Sequence, residues 1–214
     1  MAKPTAPLLS FGASGTLADT MVYSKWKGRP YVRRHVIPSN PKSTAQTLTR
    51  DIFRNLNSIW KTAGALSVAP WDRFAEGQVL TGRNAFVGQN VAALRGDSDL
   101  ADMILSPGAK GGLPQANTVF TPGSAQVTVD VTAPTPPSGW SIQAAVAAAI
   151  VNGAPESLTN FAITEAEDVT APYSIVLSLA ASTQYAVGAW LRWQKPDGSI
   201  AYGPSTVSLE TTLA

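Results

Sequence analysis

Residues 19–64 of the sequence read DTMVYSKWKGRPYVRRHVIPSNPKSTAQTLTRDIFRNLNSIWKTAG, and three local patterns follow one another in this stretch. A basic and aromatic segment rich in β-forming residues comes first, a proline-spaced segment follows, and a segment with a helical apolar period comes last. This order predicts a β-hairpin, an irregular elbow and an amphipathic helix. None of the three segments contains a catalytic motif, so the stretch indicates an anchor that binds a partner.

The hairpin is predicted from two β-rich runs, residues 17–26 and 31–37, which flank a Lys-Gly-Arg-Pro connection at residues 27–30. In the second run, side-chain alternation places the even-numbered residues on one face and the odd-numbered residues on the other. Neither face is purely polar, and a two-stranded ribbon alone is only marginally stable in water. We therefore expect the ribbon to pair with another strand or to lie on another surface.

A module of three helices is predicted after the elbow. The first helix begins at the Ser43 cap, whose spacing to Gln46 is that of a capping box, and ends at Gly64. The second helix is predicted at residues 70–77 and the third at residues 81–96. The expected core of this module consists of aromatic side chains, namely Trp60, Trp71, Phe74 and Phe86.

The sequence pattern changes from helical periods to short alternating runs after residues 97–116. Gly and Pro are concentrated in these residues, and a domain boundary is predicted there. Short alternating runs with turn residues between them then predict seven strands, at residues 118–121, 125–132, 139–151, 160–165, 173–179, 183–193 and 205–212. About seven strands in about 100 residues are typical of an immunoglobulin-like sandwich. The predicted fold is therefore α+β, with these parts in order: an extended arm at 1–16, the hairpin and helical module at 17–100, a linker at 101–116, and an all-β sandwich at 117–214.

The net charge of +2 conceals a division between the two halves of the chain. Residues 1–100 contain thirteen Lys and Arg against six Asp and Glu, a balance of +7, whereas residues 101–214 contain three against eight, a balance of −5. The first half is thus expected to be attracted to an acidic surface or to phosphate. The longest apolar run, residues 144–151, is too short to span a bilayer, so no membrane partner is expected, and the sequence favours synthesis in the cytoplasm.

The sequence contains few of the residues from which catalytic and metal sites are built. The chain contains no cysteine, and its single histidine, His35, lies in the basic ribbon without a nucleophile elbow elsewhere. Asp97, Asp99 and Asp102 resemble a calcium loop only superficially, because the following ligand and glycine positions do not match. We therefore expect no enzyme activity, no cofactor and no metal.

The strongest functional feature is a cluster of cations and aromatic rings in the ribbon, namely Lys25, Trp26, Lys27, Arg29, Tyr31, Arg33 and Arg34. Such residues suit single-stranded nucleic acid or duplex phosphates, but Trp, Tyr and Arg are also the usual anchors of protein interfaces. No nucleic-acid-binding module accompanies them. An acidic protein partner is therefore favoured, with nucleic acid and an ordinary solvated hairpin as alternatives.

A second candidate contact is Trp190, which lies with Arg192 on the outward phase of the strand predicted at 183–193. Exposure there would make a contact patch on the sandwich. Burial of Trp190 beneath a neighbouring segment is the alternative.

Two stretches resemble known families. Residues 24–50, SKWKGRPYVRRHVIPSNPKSTAQTLTR, resemble a group of proteins encoded by tailed bacteriophages and prophages, and the resemblance extends over most of residues 11–100. Residues 179–189, LAASTQYAVGA, resemble fibronectin type III domains, with Tyr185 at the tyrosine-corner position. The tryptophan that the fibronectin family carries in its second strand is replaced here by valine at that stretch.

The first resemblance implies a virion structural role, and the second implies an immunoglobulin/fibronectin III-like sandwich. The expectation is a non-enzymatic capsid decoration or cement protein, made in the host cytoplasm and located in the virion. Its expected partners are other virion proteins, either the major capsid protein or neck and tail subunits, and it is a possible homo-oligomer. The alternatives are a neck, collar or tail protein, a nucleic-acid-binding protein, and a carbohydrate-binding accessory module that uses Trp190 and Tyr202.

Overall fold

A computed structural model describes residues 14–95, 100–109, 112–153 and 162–214 of the chain. The described residues form a mixed structure of three α-helices and eleven β-strands, with the strands arranged in three antiparallel sheets. The chain divides into two compact units, Met1–Lys42 and Ser43–Ala214. Most of the extended arm predicted at residues 1–16 lies outside the described residues.

The first unit contains a three-stranded sheet formed by β1 (Gly15–Leu17), β2 (Met21–Trp26) and β3 (Arg29–Arg34), in that order. The single strand predicted at residues 17–26 is wrong, because a turn with positive φ at Ala18 and Asp19 divides it into β1 and β2. The ribbon therefore acquires a third strand from its own chain. The elbow that follows has no regular structure, as its prolines predicted.

The connection between β2 and β3 is a two-residue turn, Lys27-Gly28, in which φ is 46° and 81°. This geometry is that of a type I′ turn, and the predicted four-residue connection is wrong because Arg29 and Pro30 already belong to β3. Pro30 pairs with Lys25 next to the hydrogen-bonded pair of Trp26 and Arg29, so the N–H that proline lacks would face the outer edge of β3. That edge is consequently a poor template for a further strand.

Helices α1 (Thr44–Thr62) and α3 (Gly82–Leu94) confirm the predicted apolar periods. The hydroxyl of Thr81 accepts a hydrogen bond from the backbone N–H of Asn84 at 3.3 Å, as expected for an N-cap. Ser43 occupies the N-cap of α1, but its side chain makes no capping bond. The predicted capping box is therefore wrong, although the helix begins where it was expected.

Helix α2 (Ala65–Ala75) begins five residues before its predicted start and contains Pro70 in its interior. Its first turn is capped by the carboxylate of Glu165, which accepts hydrogen bonds from the backbone N–H of Leu66 at 3.2 Å and of Ser67 at 2.9 Å. The hydroxyl of Ser67 donates a third bond to the same carboxylate, at 2.5 Å. A negative charge at a helix N-terminus satisfies the free N–H groups and interacts favourably with the helix dipole.

The remaining strands are β4 (Asn117–Gly123), β5 (Gln126–Thr132), β6 (Ser141–Val151), β7 (Ile163–Asp168), β8 (Tyr173–Ser178), β9 (Gln184–Gln194), β10 (Ile200–Tyr202) and β11 (Thr206–Thr211). One sheet has the order β4-β5-β8, and the other has the order β7-β6-β9, with both β10 and β11 pairing with β9. The seven predicted strands are confirmed, except that the first residues of the fourth lie outside the described part of the chain. The short strand β10 was missed.

The strands β6 and β9 at the centre of the larger sheet are buried on both faces. On one face, Val146, Ile150 and Trp190 pack in a common core with Leu56 and Phe86 of the helices. On the other face, a second core joins the larger sheet to the three-stranded one, and its members include Ala147, Val187, Leu191, Val129 and Ile175. Burial on both faces explains why these strands read as continuous apolar runs.

Several described residues that follow α3, between positions 100 and 105, pack in the core beneath the helices. Leu100 and Leu105 are buried, and the indole N–H of Trp71 donates a 2.9 Å hydrogen bond to the carbonyl of Leu105. The buried amide of Asn90 accepts a bond from the N–H of Ile104 at 2.8 Å and donates one to its carbonyl at 3.0 Å. The division between the two compact units falls after Lys42, whereas the sequence predicted a domain boundary at residues 97–116.

Candidate functional site

The three-stranded sheet β1–β2–β3, called here the basic sheet, carries all seven ribbon residues predicted to bind a partner. Because side chains alternate along a strand, the register sorts these residues between two faces. The pairs Trp26–Arg29, Ser24–Tyr31 and Val22–Arg33 define one face, called here the Trp26 face. The pairs Lys25–Pro30, Tyr23–Val32 and Met21–Arg34 define the other, called here the Tyr23 face.

The Trp26 face combines aromatic rings with guanidinium groups. Trp26 is 66% exposed, and Tyr31, Arg29 and Arg33 are also exposed. The ammonium group of Lys27, in the turn, lies 4.9 Å from the centroid of the Trp26 ring, a cation–π distance that favours one orientation of the indole. The structure therefore brings four of the predicted residues onto one face, with Lys27 at its end.

The cations of the basic sheet form no salt bridge with any residue that the structure describes. Residues 14–42 contain six Lys and Arg against one Asp, a net charge of +5. Three salt bridges occur within the described ranges, and none of them involves a residue of the basic sheet. The positive charge of the sheet is consequently available to an acidic partner.

The Tyr23 face has a different chemistry. Leu17, Met21 and Val32 are exposed on it, whereas Tyr23 is only 7% exposed. Two of the seven predicted binding residues, Lys25 and Arg34, project from this face rather than from the Trp26 face. The predicted cluster is thus not one surface, because it is divided between an aromatic, arginine-rich face and a largely apolar one.

His35 has a structural position at the end of the basic sheet. Its Nδ1 atom lies 3.0 Å from the carbonyl oxygen of Asp19, and its backbone N–H donates a 2.7 Å hydrogen bond to the carbonyl of Thr20. These contacts tie the end of β3 to the turn between β1 and β2. Across the ranges that the structure describes, no group of three or more His, Cys, Asp and Glu side chains is arranged to hold a metal ion.

The second predicted contact, Trp190, is wrong as an exposed site, since its side chain is 0% exposed. Trp190 lies on the face of β9 that the helices cover, so the outward phase of that strand is part of a core. Its neighbour on the same face, Arg192, pairs with Glu167 at 2.8 Å. Tyr202 is half-buried, and burial is the main cause that raises the pKa of its hydroxyl.

Sequence reasoning missed the outer face of the sheet β4-β5-β8, called here the Asp130 face. The register places Val119, Asp130 and Ser174 in one cross-strand row, with Val176 on the adjacent row. The hydroxyl of Ser174 donates a 2.7 Å hydrogen bond to Asp130, and its backbone N–H donates one to Asp168 at 3.0 Å. Alternation within β5 and β8 was visible in the sequence, but the pairing that joins the two carboxylates was not.

Hydrogen bonds explain the acidity of Asp168. The backbone N–H groups of Thr170 and Ser174 donate to its two carboxylate oxygens, each at 3.0 Å. Both bonds stabilise the ionised form and hold the pKa of Asp168 below its ordinary value, the bond from Thr170 having the larger effect. This carboxylate therefore remains negative under mildly acidic conditions.

A cleft of about 470 Å³ lies between α2 and the strand β10. Phe74, Trp140 and Tyr202 contribute aromatic surface to it. Its charged side chains already have partners within the chain, since Arg73 pairs with Glu76 and the ammonium of Lys195 lies 4.8 Å from the Trp140 ring centroid. Among the described residues that line the cleft, Lys195 is thus the cation without a carboxylate partner.

Among the helices that the structure describes, none is both long enough and apolar enough to cross a bilayer. No family model matches the sequence, and a search of the curated proteins finds no matching relative.

Proposed function

We propose that this chain is a non-enzymatic structural protein of a tailed-bacteriophage virion, located on the capsid as a decoration or cement protein and anchored by its basic sheet. The observation that carries the proposal is the Trp26 face, where Trp26, Arg29 and Arg33 are exposed together and the two arginines form no salt bridge with the described part of the chain. The resemblance of residues 24–50 to phage-encoded proteins adds the setting. The expected partner is an acidic surface of another virion protein.

The chemistry of the Trp26 face suits a protein partner. A guanidinium group pairs with a carboxylate through two parallel hydrogen bonds, and this geometry gives specificity as well as affinity. Trp, Tyr and Arg are the residues that most often dominate interface energies. Arg29 and Arg33 lie four residues apart on one strand, about 13 Å at roughly 3.3 Å per residue, which is within the span of an ordinary interface.

Nucleic acid is a less suitable partner because the cations do not form one track. Arg29 and Arg33 project from one face, Lys25 and Arg34 project from the other, and Lys27 lies in the turn. A single backbone in contact with the sheet would reach only part of this charge, whereas affinity for nucleic acid grows with the number of phosphates neutralised. Filter binding at low salt tests this alternative, since strong, salt-sensitive retention of generic DNA would favour it.

We also propose that the C-terminal region is an immunoglobulin/fibronectin III-like sandwich. Two features support it: a core shared by two antiparallel sheets, and the hydrogen bond from the backbone N–H of Ala180 to the hydroxyl of Tyr185 at 2.9 Å. A tyrosine that bonds to backbone a few residues upstream is the tyrosine-corner arrangement. The burial of Trp190 counts against a carbohydrate platform that would use this side chain.

A cement protein stabilises a shell when it binds the assembled form and not the free subunits. The stabilisation then follows mass action and grows with the concentration of the binding protein. Addition of the chain to particles that lack it should therefore raise their resistance to heat or to chelation. A neck, collar or tail position is the alternative, and it predicts far fewer copies per particle.

The test is quantitative mass spectrometry of purified particles, combined with two full-length variants of equal charge change. Arg29→Glu/Arg33→Glu alters the Trp26 face, and Lys25→Glu/Arg34→Glu alters the opposite face of the same sheet. We expect the first variant to lower incorporation about tenfold or more, because an interface arginine contributes about 2 kcal/mol or more. The matched variant should be incorporated much better than the first.

The outcomes separate the parts of the proposal. Hundreds of copies per particle support the capsid position, and about a dozen or fewer support the neck or tail. Normal incorporation of Arg29→Glu/Arg33→Glu contradicts the anchor, and absence of the wild-type chain from particles contradicts the virion role.

A further inference from the structure

We propose that a second copy of this chain is one acidic partner of the Trp26 face, and that it binds through its Asp130 face. The inference rests on the proposed function of the Trp26 face as a binding surface, and it names a partner of that surface. The Trp26 face lies in the unit Met1–Lys42, and the Asp130 face lies in the unit Ser43–Ala214. Each copy supplies one surface of each kind.

Asp130 lies on this face, and Asp168, at the end of β7, lies beside its edge strand β8. Asp130 and Asp168 are bridged through the hydroxyl and the backbone N–H of Ser174. Neither takes part in any of the salt bridges found within residues 14–95, 100–109, 112–153 and 162–214. The strands β4, β5 and β8 contain no Lys or Arg, so no cation of this sheet competes for these carboxylates.

The same face exposes apolar surface. Val119, which pairs directly with Asp130, is 58% exposed, and Val176, on the next row, is 50% exposed. The opposite face of these strands is buried in the core that joins the two sheets. A flat sheet face that combines exposed valines with carboxylates offers both contacts that the Trp26 face requires, namely apolar area for its rings and acceptors for its guanidinium groups.

Charge complementarity exists within the chain itself. Residues 1–42 contain seven Lys and Arg against one Asp, a net charge of +6, whereas residues 43–214 contain nine against thirteen acids, a net charge of −4. Two copies therefore attract one another when the first unit of one copy approaches the second unit of the other. Such long-range attraction steers encounter and weakens as salt screens it.

The contact is made by a face and not by strand addition. The outer edge of β3 carries Pro30, which cannot donate a backbone hydrogen bond to an added strand. The surfaces that meet are different, so the contact is heterologous. Heterologous contacts form rings when the rotation closes and open chains when it does not.

The test is sedimentation velocity of the full-length chain at rising concentration, at low and at high salt. We expect the mean sedimentation coefficient to rise with concentration at low salt and to rise less at high salt. Arg29→Glu/Arg33→Glu and, separately, Asp130→Arg should each weaken association about tenfold or more. Lys25→Glu/Arg34→Glu and Asp102→Arg are controls that change charge by the same amounts away from both faces.

Mixing the two disabled variants gives the sharpest result. Arg29→Glu/Arg33→Glu retains an intact Asp130 face, and Asp130→Arg retains an intact Trp26 face. Because only one contact can then form, an equimolar mixture of these two variants should form a dimer and no larger species. Circular dichroism checks that both variants are folded. A mixture of folded variants that stays monomeric, or a wild-type chain that stays monomeric at low salt up to its solubility limit, overturns the proposal.

Particle incorporation separates this inference from the proposed function. A wild-type chain that does not self-associate, together with loss of incorporation in Arg29→Glu/Arg33→Glu, overturns only the second-copy contact. Salt-sensitive self-association with normal incorporation of the same variant supports the second-copy contact and contradicts the virion anchor.

Discussion

In residues 43–214, both faces of strands β6 and β9 in the larger sheet are covered, by helices on one side and by the sheet β4-β5-β8 on the other. In the basic sheet, Tyr23 is the one buried residue among those described in β1, β2 and β3. The same chain thus contains one region whose apolar residues form its own cores and one region whose apolar and cationic residues remain exposed. Exposed apolar and cationic side chains on one sheet are the kind of surface on which the proposed anchor depends, whereas the covered strands contribute to stability.

Two tryptophans give the largest expected contrast between the regions. Trp190 is 0% exposed and Trp26 is 66% exposed. Trp190→Ala should lower the free energy of unfolding by about 3–5 kcal/mol, because it leaves a cavity in the core beneath the helices. Trp26→Ala should change it by less than about 0.5 kcal/mol and should instead weaken partner binding. Urea denaturation of both variants measures the difference, and similar losses of stability in the two would remove the contrast.

The segment after α3 provides the next test, because a linker and a core segment respond differently to mutation. Asn90→Ala would remove the partner of the half-buried N–H and carbonyl of Ile104. We expect a loss of about 1–3 kcal/mol in the free energy of unfolding, together with faster amide exchange at Ile104. Asn117→Ala, at an exposed strand position, is the matched control. An effect of Asn90→Ala no larger than that of the control would support a flexible linker.

The cap of α2 should give a smaller effect. Glu165→Ala removes the acceptor for Leu66 and Ser67, and we expect a loss of about 1–2 kcal/mol in the free energy of unfolding. Gly64→Ala should act through the same contact, because a Cβ at position 64 would lie 1.8 Å from the carboxylate oxygen. Glu76→Gln, at the exposed end of the helix, is the control and should change stability by less than about 0.5 kcal/mol. Thermal unfolding of the three variants would show whether Glu165 is distinct from an ordinary surface carboxylate.

The core at Trp190, the segment bound by Asn90 and the cap formed by Glu165 show which features a sequence can predict. The helices α1 and α3 and the seven predicted strands follow from local periods, and alternation correctly separated Tyr31 and Arg33 from Val32 and Arg34. The start of α2 could not be predicted, because the carboxylate that caps it lies 98 residues away from Ser67. A local sequence pattern predicts a helix or strand, but it does not predict which residues far away in the sequence will contact that element.

The error at Trp190 has the same origin. Alternation in β9 identified the residues that share a face, but it could not reveal that helices much earlier in the chain cover the face that carries Trp190. The error in the first strand is different, since the turn at Ala18 and Asp19 uses positive φ without glycine, which sequence patterns rarely indicate. For the candidate site, composition identified the cluster, and only the register divided it between two faces.

The smallest expected effect concerns pH and compares Asp168 with a carboxylate that lacks such donors. Hydrogen bonds from Thr170 and Ser174 lower the pKa of Asp168 in the folded state, so its contribution to stability is present above the ordinary carboxyl pKa and is lost as pH falls through the folded value. Asp168→Asn should therefore flatten the decline of stability below about pH 4 and should leave the shape of the curve at neutral pH unchanged. Asp102→Asn is the control, and urea midpoints measured from neutral to acidic pH make the comparison. If the two variants give parallel curves, the hydrogen bonds from Thr170 and Ser174 do not favour the ionised form of Asp168, and its carboxylate would become protonated in the same acidic range as an ordinary aspartate.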